Sequence, residues 1–108
     1  MACSLFLQSG ACVADPTIAQ LESALRDLDP SDVEHPDASL ARDDGWSLTA
    51  FASGLLVWEN CERADVAARH MAAVPTTVVL MLWRCLMRDE VDKINAESWQ
   101  PGYGPAAG

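Results

Sequence analysis

Basic residues are scarce in this chain. Only seven of its 108 residues are Lys or Arg, against 16 Asp and Glu, so the formal net charge is −9 and the pI is near 4.3. A surface of that sign repels phosphate backbones and anionic lipid, which argues against nucleic acid or a membrane as partner. The same charge either draws the chain toward basic proteins or simply keeps a small cytoplasmic protein in solution.

Paired cysteines are missing as well. Cys3, Cys12, Cys61 and Cys85 form no C-x-x-C pair, and His35 and His70 are the only imidazoles that could join them. That pattern excludes the usual zinc sites and implies no cofactor. Reduced thiols fit it, with Cys85 inside an apolar run as a small core residue. Long apolar runs are absent too. The run that ends at Arg84 is far shorter than the roughly 20 residues of a membrane span. In "MACSLFLQSGACVADP" the apolar "LFL" lacks a basic leader and falls below the roughly 7–15 residues of a signal peptide. A cytoplasmic chain with a flexible N-terminal arm over residues 1–14 is the expectation.

Catalytic constellations are equally sparse. The sequence holds no nucleophile elbow, no phosphate-cradling glycine loop and no HExxH or H-x-E spacing. Asp43 and Asp44 are adjacent, so on a strand they point to opposite faces and make a poor pair of catalytic carboxylates. His70 is a lone imidazole on a short extended run, which fits a structural or solvent-facing group better than a base. The expectation is a non-enzyme.

What is present is a single amphipathic domain. With 50% hydrophobic and 21% charged residues the chain has the composition of a globular body. Pro16 after Asp15 marks a helix start, and Ile18, Leu21, Leu25 and Leu28 follow at helical spacing, predicting a helix over 16–28. "DPSDVEHPD" at 29–37 has no periodicity and reads as a loop. "ASLAR" at 38–42 reads as a strand. "WSLTAF" and "LLVWEN" are two more, joined by Ala52-Ser53-Gly54.

The loop length fixes the facing of those strands. A two-residue Ser-Gly turn would set Leu48 against Glu59. A three-residue loop with Gly54 left-handed sets Ala50 against Leu56 and Leu48 against Trp58. Trp46, Leu48, Ala50, Leu56 and Trp58 then share one face, and Ser47, Thr49, Glu59, Phe51, Leu55 and Val57 the other. "RHMAAV" at 69–74 reads as a short edge strand. After Pro75 a helix over about 76–94 is predicted, with Val79, Leu82, Trp83, Leu86 and Val91 as its buried stripe. Val78, Leu80, Met81 and Met87 spread apolar surface around that stripe, which predicts self-association, a homodimer through this helix. Trp99 reads as an anchor before a tail, 101–108, that frays in Gly and Pro. The whole pattern predicts an α+β fold: an antiparallel sheet of three to four strands with two helices packed on one face.

Asp29, Asp32, Glu34, Asp37, Asp43 and Asp44 gather before the hairpin. They form either a solvated loop or an acidic rim suited to a basic protein surface. Phe51, Leu55 and Val57 face away from the tryptophans and are either helix-covered or an exposed partner-binding patch.

"GWSLTAFASGLLVWEN", "AAVPTTVVLMLWRCLM" and "AESWQ", over residues 38–100, resemble the deaminase-associated immunity family of bacterial polymorphic toxin systems. The resemblance implies a small cytoplasmic protein that binds a toxin domain and blocks its active site. The second helix is more apolar than that pattern, and no toxin-contacting residue can be matched. Together these features point to a non-catalytic inhibitor that occludes a basic toxin or nucleic-acid-modifying enzyme. A general interaction or dimerisation domain is the alternative.

Overall fold

Period-two alternation along the extended runs separates apolar from small and polar residues, and the sheet is built from that separation. The computed structural model describes residues 2–29, 31 and 37–103. In chain order its elements are β1 (Cys3–Phe6), β2 (Cys12–Ala14), α1 (Ile18–Arg26), β3 (Asp37–Arg42), β4 (Trp46–Phe51), β5 (Leu56–Asn60), β6 (Arg69–Met71), α2 (Thr76–Met87), α3 (Val91–Asn95) and β7 (Gln100–Pro101). The strands form one antiparallel sheet in the order β2-β1-β3-β4-β5-β6-β7. The fold is α+β, with a sheet of seven strands rather than three or four and three helices rather than two among the described residues.

Two of the extra strands come from the stretch read as an arm. β1 is not peripheral: it lies between β2 and β3, with Leu5 paired to Val13 on one side and to Leu40 on the other. Their short length, four and three residues, kept them below the threshold of a strand pattern. The expected edge strand, β6, is instead flanked by the two-residue β7.

The hairpin register is the expected one. Leu48 pairs with Trp58 and Ala50 with Leu56. Phe51 N–H donates to the Leu55 carbonyl across the three-residue loop, and Gly54 has φ +92°. The same loop shape recurs at Gln8-Ser9-Gly10 and at Asp43-Asp44-Gly45, where Gly45 N–H donates to the Arg42 carbonyl.

All three helices pack on the face that carries Leu5, Leu40, Leu48 and Trp58. Leu21 and Leu25 of α1, Leu82, Trp83 and Leu86 of α2, and Ile94 of α3 join those residues in one core. Trp83 Nε1–H donates to the Leu48 carbonyl at 2.9 Å, which satisfies a polar atom that would otherwise be buried unpaired. Helix α1 starts two residues later than expected. Thr17, not Asp15, is the cap: its hydroxyl accepts from Gln20 N–H while the Gln20 side chain accepts from Thr17 N–H. Asp15 has φ +45° and closes the β1–β2 hairpin, accepting from Cys3 N–H. Ile18, expected in the buried stripe, is 45% exposed.

The predicted helix over 76–94 is two helices. Arg88, Asp89 and Glu90 break it, with Asp89 at φ +59°. Asp89 N–H donates to the Leu86 carbonyl and Glu90 N–H to that of Cys85, the bonding of a left-handed helix stop. The bend returns α3 onto the sheet and buries Ile94. Val78, Leu80 and Met87 consequently pack partly against the core, and Met81, 50% exposed, is the large apolar residue of α2 left in solvent.

Candidate functional site

With every helix on one side, the other face of the sheet carries no helix among the described residues. Strand pairing sets its composition row by row. One row reads Phe6, Ser39, Thr49, Val57, His70 and Gln100; the next reads Ser4, Ala41, Ser47 and Glu59. Its centre is a hydroxyl ladder. Ser39 Oγ lies 3.0 Å from Ser47 Oγ and 2.9 Å from Thr49 Oγ1. Phe6 stands 47% exposed beside it. Small hydroxyls bonded to one another form the centre of this face, bordered by an aromatic ring and by Glu59 and His70.

Asp37 and Phe51 pair across β3 and β4 at one end of this face, next to Leu55. Asp37, Phe51 and Leu55 are therefore brought together as the acidic–apolar reading requires. Val57 points to the same face but is only 4% exposed, held between Thr49 and His70 in neighbouring strands. It supports the surface rather than offering one.

The remaining acids do not form one rim. Asp43 and Asp44 sit at the far end of β3, about 20 Å from Asp37 at about 3.3 Å per residue. Asp43 accepts from Ala2 N–H and is exposed. Asp44 is committed to Arg42: Nε donates to Oδ1 at 2.9 Å and Nη2 donates to Oδ2. Those hydrogen bonds hold the Asp44 carboxyl below its ordinary range and raise the guanidinium further above its own. Asp29 lies beyond α1, where Ser31 donates to its carboxylate from both N–H and Oγ and lowers its pKa. Its backbone bonds the Gln8 side chain. Asp32 and Glu34 lie outside the described residues.

The tryptophans belong to the covered face. Trp46 and Trp58 stack with ring centroids 4.4 Å apart and 8° between planes, and Trp99 stacks on Trp58 at 6.5 Å. Asn95 Oδ1 accepts from Trp58 Nε1–H and from Arg69 Nη2, each at 2.9 Å, which ties α3 to the sheet. His70 bonds the Gly102 carbonyl through Nδ1 at 3.0 Å. The four cysteines are unpaired; burial pushes the thiols of Cys3, Cys61 and Cys85 up, away from the reactive thiolate. Among the described residues no group of three or more His, Cys, Asp or Glu is placed to hold a metal ion. Nor is any helix among them long and apolar enough to cross a membrane.

The signal that sequence reading missed is Phe6. It lies in the stretch read as an arm, and only the pairing of β1 between β2 and β3 carries it onto the open face. Comparison with protein-family models, with curated proteins and with solved structures returns no match.

Proposed function

We propose that this chain is a non-catalytic binding protein, an immunity-type inhibitor that occludes a basic cognate toxin or nucleic-acid-modifying enzyme with the open face of its sheet. The observation that carries the reading is one-sidedness: the three helices among the described residues cover one face, and the other carries exposed Phe6 beside a bonded hydroxyl ladder, with Asp37 and Phe51 half-buried at one end. Ser39, Ser47 and Thr49 already bond one another through Ser39 Oγ, so a partner that covers them orphans fewer polar groups than three free hydroxyls would. Exposed Phe6 supplies the aromatic contact that dominates many interfaces, and the net charge of −9 favours a basic partner.

Co-expression with a toxin encoded beside the gene tests this. The wild type should restore growth, and Phe6→Glu and Phe51→Glu together should abolish protection while the protein still melts cooperatively. Full protection by the double variant would place the contact elsewhere. The alternative, an interaction or dimerisation domain without a toxin, is favoured by Met81, which stands exposed on α2. It requires a concentration-dependent dimer in sedimentation that Met81→Glu removes.

A further inference from the structure

The open edge of β2 and the groove beside it form a second surface, separate from the open face. Leu7 N–H donates to the Ala11 carbonyl and Asp15 N–H to that of Cys3, while Leu5 pairs with Val13. In an antiparallel ladder the bonded pairs alternate, so Leu7–Ala11, Leu5–Val13 and Cys3–Asp15 are the bonded ones. The backbone N–H and C=O groups of Cys12 and Ala14 therefore point away from β1. β2 ends the sheet, and both residues are exposed. Four backbone groups are arrayed there as a strand template.

Beside this edge runs a groove of about 550 Å³ between the β1–β2 hairpin and α1. Its floor is Leu5 and Val13, its wall Ala19 and Ser23, and Asp27 and Asp29 stand at its rim. No Lys or Arg is among the described residues that line it. Arg26, the only cation of α1, is held against Ser23 Oγ at 3.0 Å.

We propose that β2 accepts an extended segment of a basic partner protein as an eighth strand. Its residue opposite Val13 would be apolar and enter the groove, and the residue two positions away opposite Ala11 would be Lys or Arg. The geometry fixes that pattern. A strand added outside β2 bonds to Cys12 and Ala14, so the residue facing Val13 projects to the same side as Val13 and Leu5. Of its neighbours at two-residue spacing, which share that side, the one opposite Ala11 passes the Asp27–Asp29 rim, since Asp29 bonds Gln8 at the loop end of the hairpin. Among the described residues the opposite edge offers no such site, since β7 is two residues long there and contains Pro101.

The test uses the full chain and the peptide Thr-Lys-Thr-Leu-Thr-Lys-Thr, blocked at both ends, with a control carrying Glu in place of Lys. Amide exchange by NMR should show protection of Cys12 and Ala14 N–H on adding the Lys peptide, and about tenfold weaker binding of the Glu peptide. Ala14→Pro removes an outward N–H that bonds nothing in β1. It should keep the melting temperature and weaken the Lys peptide by about tenfold or more. Should that variant fail to fold, Ala19→Arg fills the groove from an exposed helix position and should block the same peptide. Several results overturn the proposal: equal binding of the two peptides, protection mapping to the open face, or no effect of either substitution. Concentration-dependent protection of Cys12 and Ala14 without peptide would also overturn it, because a second copy would then be the occupant.

Discussion

Arg42 is a buried cation at the end of β3, and its partners explain three otherwise separate features. It pins Asp44 in the β3–β4 loop and holds Asp89 Oδ1 at 2.8 Å. Its Nη1 also approaches the Leu86 carbonyl at the end of α2, at 3.4 Å. An aspartate in the left-handed position that usually takes glycine is tolerable here because Arg42 grips it. Asp44→Asn keeps the shape but halves the charge pairing of a buried guanidinium, and should cost about 1.5–3 kcal/mol at neutral pH. The sign with pH follows from the lowered Asp44 pKa. Its contribution is present above the unfolded value near 3.8 and is lost as pH falls through the folded value. Denaturation at pH 7 and near pH 3 should therefore show a gap between wild type and Asp44→Asn that narrows in acid. Trp58, fully buried and stacked with Trp46 and Trp99, should lose about 3–5 kcal/mol on change to Ala in the same assay. A wild-type melt for Trp58→Ala would disprove the packing.

The hairpins are the elements whose chemistry reads most directly, since a three-residue loop closed by a left-handed residue sets the register of two strands at once. Gly45 is the most demanding of these positions. Its φ is +98°, and a Cβ there would collide with Asn60 Oδ1 and the Glu62 side chain, whereas Gly10 has the same conformation in open space. Gly45→Ala should cost more than the roughly 1–2 kcal/mol of left-handed strain alone, and Gly10→Ala no more than that strain. Equal losses in paired denaturation curves would mean that the crowding at Asn60 relaxes freely. The second helix shows the opposite case. Its apolar stripe was legible through Val79, Leu82, Trp83 and Leu86, all buried, whereas Val91, expected in the same stripe, opens α3 and is half-buried. Its end was not, because Arg88-Asp89-Glu90 contains neither Gly nor Pro and the stop depends on Arg42, more than 40 residues away in sequence.

For the whole molecule, the division of the acids between the two ends of β3 gives a kinetic prediction. Neutralising Asp37, which pairs with Phe51, should slow association of a basic partner with the open face at low salt and much less at high salt. Neutralising Asp43 at the far end should change the rate little, and no single carboxylate should abolish binding, since exposed pairs contribute only about 0–1 kcal/mol each. Stopped-flow association across a salt series checks this; equal slopes for all variants would reduce the acids to a solubility device. The sequence by itself determined the α+β class, the β4–β5 register and the face of each of those residues. It also determined the buried stripe of α2 and the sign of the surface field, because period, turn length and charge are local or additive quantities. Only the tertiary structure decided that residues 3–14 enter the sheet, that Phe6 reaches the open face and that Asp44 is bound to Arg42. It alone also divided the acids between two ends and turned α3 back onto the core. Each of those depends on which strand lies beside which, and pairing between distant segments leaves no periodic trace in either segment alone.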